Sequence, residues 1–326
     1  MPQIVPLHLA PSRADAPDSA PIVLDGEMQR LYREAEDLAA GRLPVLIVGE
    51  TGVGKEHLAE VIHQASPRAV HPFVRINCAA LTHSLFESEL FGHERGAFTG
   101  GEREKPGLLE AAGRGTVFLD EVAELPLPLQ AKLLRALETG AAYRVGGLSP
   151  RPIRARFVSA TNRDLTSAMA SGELRADLYY RLAGSVLTVP PLRARCGEIL
   201  ALAERFAAGA ARELGQTGIQ ISEAARAALL ARPWPGNVRE LRNAIERAVL
   251  LARDGLIGPE HLPGTAAAPV ADHRPEAGDR RALVLQALAA CGGNQKLAAQ
   301  RLGINRRTLA RWLDQLAILR PRISAT

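Results

Sequence analysis

Gly49-Glu50-Thr51-Gly52-Val53-Gly54-Lys55-Glu56 is the stretch on which the reading of this chain turns. It follows the apolar run Pro44-Val45-Leu46-Ile47-Val48 and opens a segment with helical spacing, Lys55 to Ala65. A buried strand, a glycine turn and a helix start together form a cradle for phosphate. The glycines let backbone N–H groups converge on an anion, the helix N-terminus adds partial positive charge, and Lys55 reaches the outer phosphates. The strict pattern ends in Lys followed by Ser or Thr, and here Glu56 takes that place. The usual hydroxyl ligand for magnesium is missing, so the metal must be held mainly from elsewhere.

Acidic and amide groups at later strand ends fit the same site. Thr116-Val117-Phe118-Leu119-Asp120-Glu121 is an apolar strand closing on two acids, and in a parallel sheet such an end faces the ligand crevice. Asp120 is suited to hold magnesium and Glu121 to polarise the water that attacks the terminal phosphate. A solvated strand end is the alternative, and the position downstream of the phosphate loop favours function. Strand Arg156–Ala160 runs into Thr161-Asn162, where the amide either orients the attacking water or makes a turn. Arg175 and Arg181 do not share a face of a regular helix. They either pair with Asp177 or another acid, or reach a nucleotide on the next subunit. In Trp234-Pro235-Gly236-Asn237-Val238-Arg239-Glu240-Leu241, Asn237 and Glu240 stand at capping-box spacing ahead of a helix. Arg239, in the first turn, opposes the helix dipole. Contact with phosphate accounts for that cost.

The chain of 326 residues has room for one large domain and one or two small ones, and its 47% apolar and 23% charged content is that of a soluble globular protein. No apolar run approaches the roughly 20 residues needed to span a bilayer, and the N-terminus lacks the pattern of a signal peptide. Cys78, Cys196 and Cys291 are scattered without metal-ligand spacing and read as free thiols in a reducing cytoplasm. The fold class expected is α/β, a P-loop parallel sheet with helices on both faces, because strand and helix patterns alternate at 44–48, 55–65, 73–76, 116–119, 127–138 and 156–160. Residues 1–20 read as a disordered lead-in, 21–190 as the α/β subdomain, 191–263 as a helical lid, 264–279 as an Ala/Pro-rich linker and 280–326 as an all-α basic domain. The lead-in leaves no room for a sensory domain ahead of the phosphate loop. Net charge is +5, and residues 273–326 alone carry +7, which points to nucleic acid at the C-terminal end.

From about Ile22 to Arg253 the chain strongly resembles the AAA+ ATPase domain of bacterial enhancer-binding proteins, the sigma-54-dependent transcription activators. The motifs carrying this are GETGVGKE, NCAALTHSLFESELFGHERGAFTG, GTVFLDEV, LQAKLLRALE, ATNRDL, LRADLYYRL, VPPLRAR and WPGNVRELRN, in the family's order. The family also places Glu after the loop lysine. The resemblance implies ATP and Mg2+ as cofactors, with residues Gly49 to Glu56 on the phosphates, Asp120 on magnesium and Glu121 on water. It implies Asn77 as the residue that holds Glu121 until the ring engages, Asn162 as the first sensor and Arg239 as the second. Arg175 and Arg181 become arginines acting in trans, and Ile22 and Val23 pack the adenine. Such proteins act as hexameric rings with ATP sites between subunits.

Gly96-Ala97-Phe98-Thr99-Gly100-Gly101 is an uncharged tip presenting one aromatic, Phe98, among residues too small to bury it. An aromatic so placed is an exposed liability unless it meets a partner. In the family this finger contacts sigma-54, with Phe98 and Thr99 as the contacting pair, and its pattern ends in Ala where this chain has Gly101. At the other end, Gln295–Leu302, Gly303 and a helix from Arg306 have helix-turn-helix spacing. This part resembles the Fis-type domain, with Leu309 and Leu313 inward and Arg306, Arg307, Thr308 and Arg311 toward double-stranded DNA. The expected function is a cytoplasmic activator that binds upstream DNA, assembles a ring and uses ATP hydrolysis to remodel the sigma-54 RNA polymerase complex. The rivals are a DNA-bound regulator whose finger is broken by Gly101, and a remodeller of another client.

Overall fold

The computed structural model describes residues 21–79, 83–98, 103–216, 218–252, 254–263 and 313. Two compact units divide the chain, Met1–Pro263 and Gly264–Thr326. Of the second, Leu313 is described, helical and buried, as the spacing of that segment predicts. The expected DNA-facing residues Arg306, Arg307, Thr308 and Arg311 lie outside the described residues, as do Cys291, the lead-in and the linker.

In the first unit α1 (Gly26–Ala39) begins where the Asp25 carboxylate accepts the N–H groups of Glu27 and Met28. β1 (Val45–Val48) passes through the glycine turn into α2 (Lys55–Gln64), and β2 (Phe73–Asn77) follows. Then come α3 (His83–Phe91), the hairpin β3 (Gly92–His93) and β4 (Lys105–Pro106), α4 (Leu108–Ala111) and β5 (Thr116–Asp120). After α5 (Leu127–Thr139), a second hairpin, β6 (Ala141–Tyr143) and β7 (Pro150–Pro152), precedes β8 (Arg156–Thr161). α6 (Leu165–Ala170), α7 (Ala176–Leu182) and β9 (Ser185–Thr188) complete the layer.

Five of these strands form one parallel sheet in the order β2-β5-β8-β1-β9. Strand alternation sends Val45, Ile47, Phe118, Val158 and Ala160 to the face covered by α1 and α2. Leu46, Val117, Leu119 and Phe157 turn to the other face, against α3, α5 and α7. Both faces being covered, the strands read as continuous apolar runs. The sequence pattern misses β9, a four-residue edge strand in which Leu187 alone is buried, and the two hairpins, whose strands are too short to show a period.

The helical lid consists of α8 (Ile199–Glu213), β10 (Gln220–Ile221), α9 (Glu223–Leu230), α10 (Asn237–Leu251) and β11 (Leu256–Ile257). β10 and β11 pair in parallel, a short addition to the all-helical expectation. Trp234 is the largest side chain fully enclosed here; its indole N–H donates to the Leu229 carbonyl at 2.9 Å and Arg232 lies over its ring. No helix among the described residues is long and apolar enough to cross a membrane. Replacing Trp234 by Ala should destabilise the lid by about 3–5 kcal/mol, read from urea unfolding. A loss below about 1 kcal/mol would mean that this ring is not the lid's packing centre.

Candidate nucleotide site

The glycine turn has the geometry that its residue types demand. Gly52 sits at φ +79°, and a Cβ there would collide with the Gly236 carbonyl of the lid. Gly54, at φ +105°, caps α2 in a left-handed conformation open to L side chains only with strain. Lys55 is 6% exposed, and its ammonium donates to the carbonyls of Gly49 at 2.9 Å and Glu50 at 3.3 Å. It also meets Glu121 Oε1 at 3.3 Å. Glu56 turns away from Lys55 to pair with Arg75 at 2.7 Å.

Glu121 follows β5 directly and holds φ at +53°. A non-glycine residue in this region costs energy that the surrounding structure must supply. The turn directs one carboxylate oxygen to Lys55 and the other to the backbone N–H of Asn162 at 2.9 Å. The Asn162 amide in turn donates to Thr51 Oγ1 at 2.7 Å. Lysine, acid, amide and loop hydroxyl thus form one chain of contacts across β1, β5 and β8. Burial raises the pKa of Asp120, and the neighbouring Glu121 charge adds to the effect while Lys55 opposes it. Asn77, aligned with Asp120 across the sheet, spends its side-chain oxygen on the Ala79 N–H at 2.9 Å and not on Glu121.

The lid closes the site from above. The N–H groups of Val238 and Arg239 point to the Gly52 carbonyl at 3.0 and 3.3 Å. The capping-box expectation is corrected in its first half. Asn237 is fully buried at φ +52°, and its side chain bridges segments where a cap would turn back on its own helix. Its oxygen accepts the Leu192 N–H at 2.8 Å, and its amide donates to Glu50 Oε2 at 3.0 Å and the Thr51 carbonyl at 3.1 Å. Glu240 does reach back, accepting the Gly236 N–H at 2.8 Å. Arg193 adds a two-pronged contact to Glu50 at 2.5 and 2.8 Å, a residue that sequence reasoning missed. Glu121, Trp234 and Asn237 are the three non-glycine residues with positive φ among the described residues, and all lie in the turns that meet around this loop.

A cleft of about 770 Å³ runs beside α2 and beneath α8 and α10, a volume suited to a nucleotide. Ile22, Val53, Gly54, Glu56 and Arg239 line it. Val23, expected beside Ile22 on the base, instead packs into the sheet core, while Ile22 packs on the lid core. Arg175 donates from its N–H to Gln130 and pairs through its guanidinium with Asp177 at 2.7 Å. Arg181 donates to the Leu137 carbonyl at 2.9 Å. Both arginines are exposed at the ends of α7, and their hydrogen bonds go to Gln130, Asp177 and Leu137 and not to the lysine–acid chain. Phe98 is 46% exposed and rests edge-on against His93, with centroids 4.9 Å apart. Thr99, Gly100 and Gly101 lie outside the described residues.

The Arg193 hydrogen bond above all, with help from Asn237, holds the Glu50 carboxyl at about 2 against an ordinary 4.5. A depressed folded-state pKa stabilises fully above the unfolded value and is lost as pH falls from 4.5 toward 2. Wild type should therefore melt above Glu50→Gln by a constant margin from neutral pH down to about 5, narrowing below that; the pair being solvated, the margin corresponds to about 1 kcal/mol or less. A margin that widens on acidification would contradict the assignment.

Comparison with known proteins agrees with this geometry. Residues 22–188 match the sigma-54 interaction domain, residues 193–278 an AAA+ ATPase lid domain, and residues 281–316 the Fis family of bacterial regulatory proteins. Nitrogen fixation protein VnfA of Azotobacter vinelandii is 45% identical over 291 residues, 86% of this chain and 56% of its own length. Alginate biosynthesis transcriptional regulatory protein AlgB of Pseudomonas aeruginosa is 45% identical over 297 residues, 89% of this chain and 66% of its own. The chain thus spans about half to two thirds of these curated relatives. Crystal structures of NtrX from Brucella abortus, in complex with ADP and with ATP, superpose with TM-scores of 0.71 and 0.70 at 34% identity, covering 92% and 94% of this chain and 70% and 71% of theirs. By sequence match and by fold, this chain belongs to the family of AAA+ proteins that carry the sigma-54 interaction domain.

Proposed function

We propose that this chain is a transcription activator that hydrolyses ATP to remodel the sigma-54 RNA polymerase complex at promoters reached through its C-terminal DNA-binding domain. The observation that carries the proposal is the contact chain Lys55–Glu121–Asn162–Thr51 on the phosphate loop, whose residues Val53, Gly54 and Glu56 line a cleft that Val238 and Arg239 of the lid also line. The names of the relatives, a nitrogen fixation protein and a transcriptional regulatory protein of alginate biosynthesis, and the nucleotide-bound NtrX structures support it.

A terminal phosphate seated in the loop competes with Glu121 for the Lys55 ammonium. That frees Oε1 to take a proton from water as the water oxygen bonds to the terminal phosphorus. The bond from that phosphorus to the bridging oxygen breaks, and ADP and inorganic phosphate leave. The Asn162 N–H keeps the carboxylate aimed meanwhile. Among the described residues no cluster of three or more His, Cys, Asp or Glu could cage a metal. Magnesium, which prefers one or two carboxylates together with phosphate oxygens, suits a site with Asp120 at its edge. When bound it would neutralise charge on the phosphates, and Asp120 would be the protein group to hold it, Glu56 being paired with Arg75.

Arg175 and Arg181, exposed on α7, fit a role on a neighbouring subunit's nucleotide in a ring, probed by loss of turnover in either Ala variant at assembling concentrations. Their contacts to Asp177 and Leu137 would be exchanged on assembly. Phe98 supplies the aromatic that meets sigma-54. Glu121→Ala should bind ATP at least as tightly as wild type, its competitor for Lys55 being gone, while turnover falls by about 10²–10⁴-fold; retained turnover would remove Glu121 from the water-activating role. Phe98→Ala should hydrolyse ATP normally yet fail to open a sigma-54 promoter in a purified transcription assay. Failure of the wild-type chain in that assay, with hydrolysis intact, would instead favour the DNA-bound regulator whose finger is disabled by Gly101.

A further inference from the structure

The same cleft contains a buried ion pair that the reaction above does not use. Arg195 and Glu198, 4% and 0% exposed, bracket the short 3-10 turn Cys196–Glu198 that leads into α8. They meet at 3.1 Å, and both line the cleft. Their remaining hydrogen bonds go to distant segments. Arg195 donates to the Val53 carbonyl of the phosphate loop at 2.6 Å. Glu198 Oε1 accepts the N–H groups of Leu24 at 3.1 Å and Asp25 at 3.4 Å, immediately after the Ile22 wall of the cleft. One pair of side chains therefore ties the lid to the loop at one end of the cleft and to the wall at the other. Arg195 Nε is buried and finds no acceptor among the described residues, a costly placement that packing alone does not explain.

A purine is told apart by its edge. Adenine offers an amino donor beside a ring-nitrogen acceptor, and guanine presents the reverse, a carbonyl acceptor beside an N–H donor. A wall of backbone discriminates between them only if its own N–H and C=O groups are fixed relative to the phosphate loop. We propose that Arg195 and Glu198 are positioning residues for base selectivity, holding the Pro21–Ile22 wall in register with Val53 so that base and phosphates are read together. This rests on the adenine-nucleotide reading above.

The test is equilibrium binding of fluorescent ATP and GTP analogues to the full chain, alongside thermal melting, for wild type, Glu198→Gln and the double variant Arg195→Met/Glu198→Leu. Glutamine can keep an oxygen on the Leu24 and Asp25 N–H groups only by turning its NH2 on Arg195, so one tie breaks in either orientation. Glu198→Gln should lower the ATP-over-GTP affinity ratio by about tenfold, the scale of one such hydrogen bond, and lower the melting temperature. In the double variant an apolar pair replaces a buried ion pair, which is commonly tolerated; melting should recover while the affinity ratio stays low. The proposal is overturned if Glu198→Gln keeps the wild-type ratio within twofold, if the double variant recovers ratio and melting together, or if wild type binds both nucleotides equally. A wild-type chain that binds neither overturns the nucleotide reading itself.

Discussion

The phosphate loop and the lid touch backbone to backbone. Gly52 has no room for a side chain because the Gly236 carbonyl occupies that space, and its own carbonyl is the acceptor for the first N–H groups of α10. Everything around the nucleotide cleft follows from this contact. The α10 N-terminus, a natural anion-seeking feature, is set against the loop that is to carry phosphate, and Arg239 is presented from the same turn. Strain at Trp234 and Asn237 is the cost of forming that turn, and burial of the indole together with the Asn237 hydrogen bonds offsets it.

Two further ties reinforce the contact from opposite ends. Glu50 binds Arg193 and the buried Asn237 amide at the outer rim, where the Glu50–Arg193 pair is solvated and that link is exchangeable. Arg195 and Glu198 bind Val53 and the Leu24–Asp25 backbone in the interior, where breaking either side strands a charge. A lid held by one soft and one hard tie can shift at the rim without coming away. In the ring proposed above, that is the property needed to pass a change in the phosphates to a neighbouring subunit.

The sheet was legible from sequence because strands buried on both faces are unbroken apolar runs bounded by glycine turns, as Val45–Val48 and Thr116–Asp120 are. β9 escaped because the four-residue edge strand Ser185-Val186-Leu187-Thr188 has neither a long apolar run nor an apolar–polar alternation in its sequence. The candidate residues of the loop, Asp120, Glu121 and Asn162, are adjacent to strand ends, and the parallel order β5-β8-β1 brings strand ends together. The lid contacts were not legible. Asn237 stands at a spacing that reads as a cap, and local spacing says nothing of a partner such as Glu50, 187 positions away. Arg193, Arg195 and Glu198 lay inside and just beyond a motif read only for its family likeness. A signal was present there: a Glu and two Arg within six residues, preceding a helix of apolar spacing, is costly to bury unless the charges are used.

Coupling between nucleotide and lid is the claim on which the account stands. The most direct measurement is hydrogen–deuterium exchange at the Val238 and Arg239 amides, with and without ATP under conditions where binding is independently saturated. The account predicts that these two amides exchange slowly and that ATP slows them further, while amides on the outer face of α9 are unchanged. Exchange at Val238 and Arg239 that stays the same on saturation would show a lid indifferent to the loop, and the account would fail at its first contact.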